Sequence, residues 1–424
     1  MSTPATAVTS RAHATLVPRH SRATWHLPQL TKRAAFYLQA SIILFFLAGS
    51  SAPTPLYALY QAAWGFSPIT ITVVFGVYAL AVLGALLVFG SLSDHVGRRP
   101  ILFAATLLQT VTMAIFATAH GVGALLLARV IQGLSTGAAA GAVGAGMLDL
   151  DRAKGTVANA LGPMLGTATG ALASGLMVVF LPAPTVLIYV VLGAIFLTQA
   201  LGVAAMPESV TPRPGALASL RPQFHLPAQA RLPMLLAVPA LVAAWSLVGF
   251  YGSLGPTLVR RLVGSSSPLL GGLVLFAMAG SGALTVLSTR QRSARFLTLF
   301  GTAALMAGVA VTLLAIARAS VGVLFVGTAV AGIGFGGTFQ GAIRSVIPLA
   351  APHQRAGVLS VLYVVAYLAM GAPAVLAGLG VVHGGGLLVT AREYGLAVIA
   401  LAGAALLGTL LRRSTDRSTE AKSL

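Results

Sequence analysis

Positions 90–100 read GSLSDHVGRRP, from Gly90 through Asp94 and Gly97 to Arg98, Arg99 and Pro100. An acid, a histidine and two arginines fall within six residues of a chain that is only 8% charged. Apolar sequence runs to either side, and each run is long enough to cross a bilayer core of roughly 30 Å, which takes about 20 helical residues. The charge therefore marks a short polar turn between two membrane crossings, and the rest of the chain can be read outward from it.

Of 424 residues, 57% are hydrophobic and the mean hydropathy is +0.92, well above what a soluble fold shows once its surface is covered. This is the composition of an integral membrane protein. The absence of cysteine excludes a disulfide framework, a thiolate metal site and a cysteine nucleophile. A formal charge of +19 would fit nucleic acid if the 26 Lys and Arg formed one patch. They are instead dispersed between apolar segments, the pattern of membrane topology, so no nucleic-acid partner is expected.

Apolar stretches long enough to span occur at about 35–60, 68–90, 100–118, 122–147, 156–180, 185–205, 234–258, 268–288, 296–316, 321–343, 357–381 and 393–411. Twelve crossings place both ends of the chain on one side. With that side cytoplasmic, the loops and tails there carry 21 Lys and Arg against 4 in the opposite loops, as the positive-inside rule requires. Residues 1–34 are basic and free of acid and read as a cytoplasmic tail, as do 412–424. No cleavable leader is apparent, since the first span can direct insertion.

The segment 206–233 interrupts the apolar pattern with six prolines and three arginines and reads as a cytoplasmic linker. It divides a six-span half, 35–205, from a second, 234–411. The loop after the eighth span, GALTVLSTR at 282–290, aligns with GSLSDHVGR and matches Gly90, Leu92 and Arg98 to Gly282, Leu284 and Arg290. Such matches at equivalent places predict two six-helix bundles related as parallel repeats, an all-α integral membrane fold.

These residues resemble the major facilitator superfamily over about 35–411. Its signature between helices two and three, G-x-L-x-D-x-x-G-R-R, is filled by Gly90, Leu92, Asp94, Gly97, Arg98 and Arg99. Its R-x-x-Q-G pattern in helix four is met by Arg129, Gln132 and Gly133. The efflux pattern of helix five is met in part by Gly162, Pro163 and Gly166, with Ala158 and Thr167 at the flanking glycine places. The resemblance implies a monomeric, cofactor-free secondary carrier in the bacterial cell membrane. It implies alternating access and proton-linked efflux of small hydrophobic or drug-like molecules. The alternatives are an importer or uncoupled facilitator of a metabolite and, in another class, a non-transporting membrane receptor.

Each motif has a physical reading. Gly90 and Gly97 permit a tight turn. Asp94 suits the positive N-terminal end of a helix, of its own half or the other, while Arg98 and Arg99 suit carbonyls or a carboxylate, which makes the loop a candidate conformational latch. Arg129 is the basic residue clearly inside a span, and Gln132, Gly133 and Thr136 share its helix face, so that face is expected to line a central cavity. Glycines at 133, 137 and 141 and at 162, 166 and 170 predict close packing of helices four and five, with a bend at Pro163. Pro53 and Pro55 weaken the first span beside Ser50, Thr54 and Tyr57, and the backbone groups they free need partners. Trp245, Tyr251, Phe335, Phe339, Gln340, Tyr363 and Tyr367 are further cavity candidates.

The seven acids, Asp94, Asp149, Asp151, Glu208, Glu393, Asp416 and Glu420, fall at span ends, in loops or in the tail, so the sequence offers no buried carboxylate as proton carrier. His120 and His383 fall in outer loops. A phosphate-binding G-x-x-x-x-G-K-[ST] loop, a catalytic triad and a metal cluster are all lacking, which argues against an ATP-driven pump or an enzyme.

Overall fold

A computed structural model describes residues 29–423 apart from 223, 225, 265–266 and 352–353, and for 412–423 the backbone alone. Most of the expected N-terminal tail, residues 1–28, lies outside the described residues. In the first half the helices are α1 (Lys32–Ser51), α2 (Tyr57–Trp64), α3 (Pro68–Phe89), α4 (Ser93–Val96), α5 (Arg98–Ala117), α6 (Val122–Leu150), α7 (Arg152–Phe180) and α8 (Leu187–Ala204). The connecting segment holds α9 (Ala216–Ser219). The second half has α10 (Ala228–Ser253), α11 (Gly255–Val263), α12 (Pro268–Ser288), α13 (Ala294–Arg318), α14 (Val321–Val346), α15 (Arg355–His383) and α16 (Leu387–Ser423). Twelve of these are long and apolar enough to cross a membrane, and they match the twelve expected spans. The even number brings both chain ends to one face, the terminal face, together with the 90–97 loop; the opposite one is the far face.

The two halves repeat each other down to their caps. Crossing one is broken into α1 and α2, crossing seven into α10 and α11. Both second pieces end on a left-handed glycine, Gly65 at φ 65° and Gly264 at φ 67°, and both following helices begin on a proline, Pro68 and Pro268. The aligned glycines Gly90 and Gly282 also play one role. A methyl placed on Gly141 would fall 2.6 Å from the Gly90 carbonyl oxygen, and one placed on Gly336 would fall 2.5 Å from that of Gly282. Helix four thus packs on helix two, and helix ten on helix eight, with backbones in contact.

The stripes of helices four and five each have a different neighbour. Gly133, Gly137 and Gly141 lie against α3, whereas Gly162, Gly166 and Gly170 lie against α1, at Ile43, the Leu44 carbonyl and Ala48. Helix α7 continues without interruption through Pro163. The expected linker end at 233 is corrected: α10 begins at Ala228 and carries Pro233 and Pro239 inside it. Pro233 is tolerated because the carbonyl it frees belongs to exposed Gln229, near the helix end where water can reach.

Contacts between the halves concentrate on the far side. A methyl on Gly272 would fall 2.4 Å from the Ala171 carbonyl oxygen, one on Gly378 2.1 Å from Thr72 Oγ1, and one on Gly252 2.6 Å from the Phe75 ring. Phe75 and Ala79 of α3 share a buried cluster with Met370 and Ala374 of α15. Nearer the terminal face, the cluster from Ala230 to Leu362 is built of second-half residues alone. The halves therefore meet at mid-depth and beyond it toward the far face, and part toward the terminal face.

Candidate functional site

The loop 90–97 is a knot of charge on its own half. Arg98, 6% exposed, ion-pairs with Asp94, reaches Asp149 Oδ2 at 3.4 Å and donates to Ser93 Oγ at 2.6 Å. Arg99 donates to the Ala204 carbonyl. The carboxylate at the N-terminal end of α5 belongs to Glu208: its oxygens accept from the Arg98 and Arg99 amides at 2.8 and 3.0 Å. That corrects the expectation for Asp94, which is exposed and pairs sideways with Arg98. Gly97 is needed twice over, since its φ is 104° and a methyl there would fall 2.5 Å from Glu208 Oε2. The connecting segment then wraps the loop: the Arg213 amide donates to the His95 carbonyl at 2.8 Å, and Ser91 Oγ to the Ser219 carbonyl at 3.1 Å.

Deeper in the same half, the R-x-x-Q pair repairs a broken helix. Proline has no N–H, so Pro53 frees the Gly49 carbonyl and Pro55 that of Ser51. The backbone then tightens, with the Thr54 amide on Ser51 and the Leu56 amide on Pro53, which leaves Ser50 and Ala52 without their helical donors. Three side chains take over. Gln132 Nε2 donates to Gly49 at 3.1 Å, Arg129 Nη1 to Ser50 at 2.8 Å and Ser174 Oγ to Ala52 at 2.6 Å. Each carbonyl left unpaired in this interior would cost about 1–3 kcal/mol.

Arg129 itself is fully enclosed, at 0% exposure, rather than open to a cavity. Its Nε donates to Tyr57 Oη at 2.9 Å and its Nη1 to Gln132 Oε1 at 2.7 Å. The rings of Tyr57, Tyr78 and Phe116 lie 5.6, 5.2 and 5.7 Å from its central carbon. Ring faces and carbonyl dipoles thus stand in for a counter-ion. Thr136, two turns along, accepts from Gln109 Nε2 at 3.0 Å.

The break in helix one also touches the break in helix seven. Pro256 frees the Gly252 carbonyl, and Thr54 Oγ1 of the first half donates to it at 3.3 Å. Tyr251 beside it is closed inside the second half, bonded to Thr312 and Thr328.

Below this seal an aromatic cluster gathers from three helices. Trp245 meets Phe335 edge-on at 5.7 Å, Phe339 edge-on at 5.2 Å and Tyr367 at 5.5 Å, with Tyr363 one turn from Tyr367 at 6.4 Å. Trp245, Phe339, Tyr363 and Tyr367 are only partly buried. Trp245 Nε1 is buried without a hydrogen-bond partner among the described residues. Gln340 falls on the stripe of α14 that carries Gly336 and is buried.

The sequence profile of the Major Facilitator Superfamily matches residues 40–375. The chain belongs to this superfamily. Among solved structures it is similar to a bacterial homolog of the human lysosomal transporter Spinster, inward-facing and unoccupied, with a TM-score of 0.69 and 14% identity over 89% of this chain and 97% of that one. It is also similar to the nucleoside transporter NupG, with a TM-score of 0.66 and 13% identity over 89% and 98% of the two chains. No curated protein matches the chain in sequence. At these identities the structural likeness speaks for the fold. Family membership makes this protein a membrane transporter of small molecules and not an enzyme.

Within that family frame, sequence reading missed Glu208, Ser174 and Gly252. Gly252 was recoverable, because a proline at i+4 marks a carbonyl that needs a donor. Glu208 and Ser174 carried no such mark, since their partners lie 109–110 and 122 residues away.

Proposed function

We propose that this transporter exports small, largely apolar molecules by alternating access, in a cell membrane, as a monomer with both termini in the cytoplasm. The observation that carries the reading is the pairing of a far side held shut by backbone contacts with a partly buried aromatic cluster just beneath it. With 21 of the cationic side chains on the terminal side, that face is cytoplasmic and the conformation is open inward, with the Asp94 loop detached from the second half. In the outward-open form the same loop closes against the second half and acts as the latch. The Gly162-Pro163-Gly166 motif supports the outward direction.

A proton gradient is the proposed driving force, and Arg129, with no acid beside it among the described residues, tunes the groups around it rather than carrying the proton. An uncoupled facilitator is the second reading, favoured by the placement of all seven acids at helix ends, loops or the tail. Proteoliposomes with an imposed pH difference separate the two. Antiport predicts that an uncharged, non-titrating dye such as Nile red accumulates against its gradient, beyond what protein-free liposomes show, only while the pH difference lasts, and that adding dye moves protons. Flux that merely equilibrates the dye selects the facilitator. Reporter fusions after residue 220 and at the C-terminus should both score as cytoplasmic, and an external signal at either would overturn the orientation.

A further inference from the structure

The aromatic cluster has a chemistry more specific than apolarity. Its centre is Trp245, whose indole Nε1 is a donor and nothing else, buried with no acceptor among the described residues. Around it stand two parallel phenyl rings, Phe335 and Phe339, 6.2 Å apart with planes 5° from parallel, both edge-on to the indole. Tyr367 closes another side and packs on the sealing cluster of Phe75, Ala79, Met370 and Ala374. Flat walls at these angles favour a flat guest, because offset and edge-to-face contacts between rings are the favourable ones. The unpaired N–H favours a guest that brings an acceptor, since a buried donor without a partner is costly and a ligand that supplies the partner removes that cost.

Charge sets the third condition. The acidic side chains described in the first half and the connecting segment gather at the terminal end, on Asp94, Asp149, Asp151 and Glu208, and Glu393 is exposed near the far end of α16. Arg129 is an embedded positive charge with no counter-ion among the described residues, its partners being Tyr57, Ser50 and Gln132. A permanent cation entering the mid-depth space would meet no carboxylate and would face the field of that guanidinium, which a low-dielectric interior screens weakly. We infer that Trp245, Phe335, Phe339 and Tyr367 form a binding site for an uncharged planar aromatic molecule bearing a hydrogen-bond acceptor on its edge, with Trp245 Nε1 as the donor. This deepens the transport reading and rests on it for the direction of entry.

Three tricyclic probes of one shape test it: acridine, with a ring nitrogen acceptor and no charge at pH 8; anthracene, with neither; and N-methylacridinium, a permanent cation. Binding is measured by fluorescence on the protein in lipid nanodiscs, with empty nanodiscs subtracted for lipid partitioning. Acridine should bind about tenfold more tightly than either of the others, the factor expected for one hydrogen bond. Trp245→Phe should erase the preference for acridine over anthracene while anthracene binding persists, which also reports that the variant is folded. Equal affinities for the three probes, tightest binding of the cation, or a preference that survives Trp245→Phe would each overturn the assignment. Should Trp245→Phe not fold, Tyr367→Leu, which removes one wall, must weaken acridine and anthracene alike, and unchanged binding would overturn it. Transport fails separately. Binding with this preference but no flux in proteoliposomes would sink the transport reading and leave the site, whereas flux without preference would do the reverse.

Discussion

Thr54 Oγ1 donates to the carbonyl oxygen of Gly252 at 3.3 Å, so the proline break of helix one is tied to the proline break of helix seven across the two halves. Each break exposes a backbone oxygen, and the bond satisfies one of them only while the far side is closed. Thr54→Val removes the donor and keeps the shape. The loss of about 1 kcal/mol should raise the share of molecules open at the far face about fivefold. The natural absence of cysteine makes the measurement direct: Thr72→Cys, fully buried at the seal, reports far-side opening by its rate of reaction with an impermeant maleimide. An unchanged rate in Thr54→Val would mean that the bond holds nothing shut.

Gly272 tests the seal by the opposite route, addition rather than removal. Its added methyl would lie 2.4 Å from the Ala171 carbonyl oxygen, a backbone atom that no rotamer change can move. Gly272→Ala should therefore wedge the far side apart, weakening closure by about 1–3 kcal/mol. Gly280, on the same helix, has nothing within 4 Å of its added methyl, so Gly280→Ala is the matched control and should leave maleimide labelling at Thr72→Cys unaltered. If the two substitutions behave alike, the effect is one of helix propensity and not of contact between halves.

The parts of this fold that were legible in sequence are those written locally. The twelve apolar runs each depend on residues a few places apart and have their counterparts in the structure, and Gly90 and Gly282, matched through short patterns of the same form, each meet a glycine of a neighbouring helix. The interior of the first half was harder. Arg129 and Tyr57 lie on faces that periodicity marks as inward, but it cannot distinguish a bundle's own core from the space between bundles, and both proved enclosed. Asp94 was matched to a helix end because its charge suits one. Glu208 occupies that end instead, brought there by a chain reversal through four helices that no short pattern records.

Glu208 and Asp94 should accordingly differ when replaced. Glu208→Ala removes the acceptor for the Arg98 and Arg99 amides and for those of Ser209 and Val210, a cap worth about 1 kcal/mol. The connecting segment should loosen, and proteinase K should cut the 209–220 stretch faster. Asp94→Asn gives up one partner of Arg98, which keeps Asp149 and Ser93, and it removes no bond to the connecting segment, so that cleavage rate should stay at the parent's value. Equal acceleration by both would show that the loop and the segment are held by charge in bulk.

Asp151 supplies a pH test outside the membrane. It caps α7, accepting from the Lys154 amide at 3.0 Å, and that bond, with the side-chain contact to Lys154 Nζ at 3.1 Å, lowers its pKa below the usual aspartate value. A carboxyl depressed on folding contributes stability that is fully present above its unfolded value, about 3.9, and is lost as pH falls through the folded one. Thermal unfolding should therefore separate wild type from Asp151→Asn by a constant gap from pH 7 to pH 5. The gap should close below pH 4. A gap that widens on acidification would reverse the assigned sign.

The proline accounting of helix one makes a prediction that stability alone can decide. Arg129→Met strands the Ser50 carbonyl and Gln132 Oε1, and should lower the unfolding temperature by the cost of about 1–3 kcal/mol per stranded group, less what is recovered by no longer burying a cation. Lysine in its place keeps the charge but lacks the fork that reaches Ser50, Gln132 and Tyr57 at once, so Arg129→Lys should fall between the two. The sharper experiment pairs Gln132 with Pro53. In the parent chain Gln132→Leu leaves the Gly49 carbonyl without a donor because residue 53 has no N–H. In a Pro53→Ala background residue 53 regains its amide, which can close the helical bond to Gly49, while the bond from Arg129 to Gln132 is lost equally in both backgrounds. The double-mutant cycle should return a coupling of about 0.5–1.5 kcal/mol, with Gln132→Leu the cheaper change when Pro53 is absent. A cost for Gln132→Leu that is the same in both backgrounds would show that the glutamine serves Arg129 alone and that the broken helix finds its partner elsewhere.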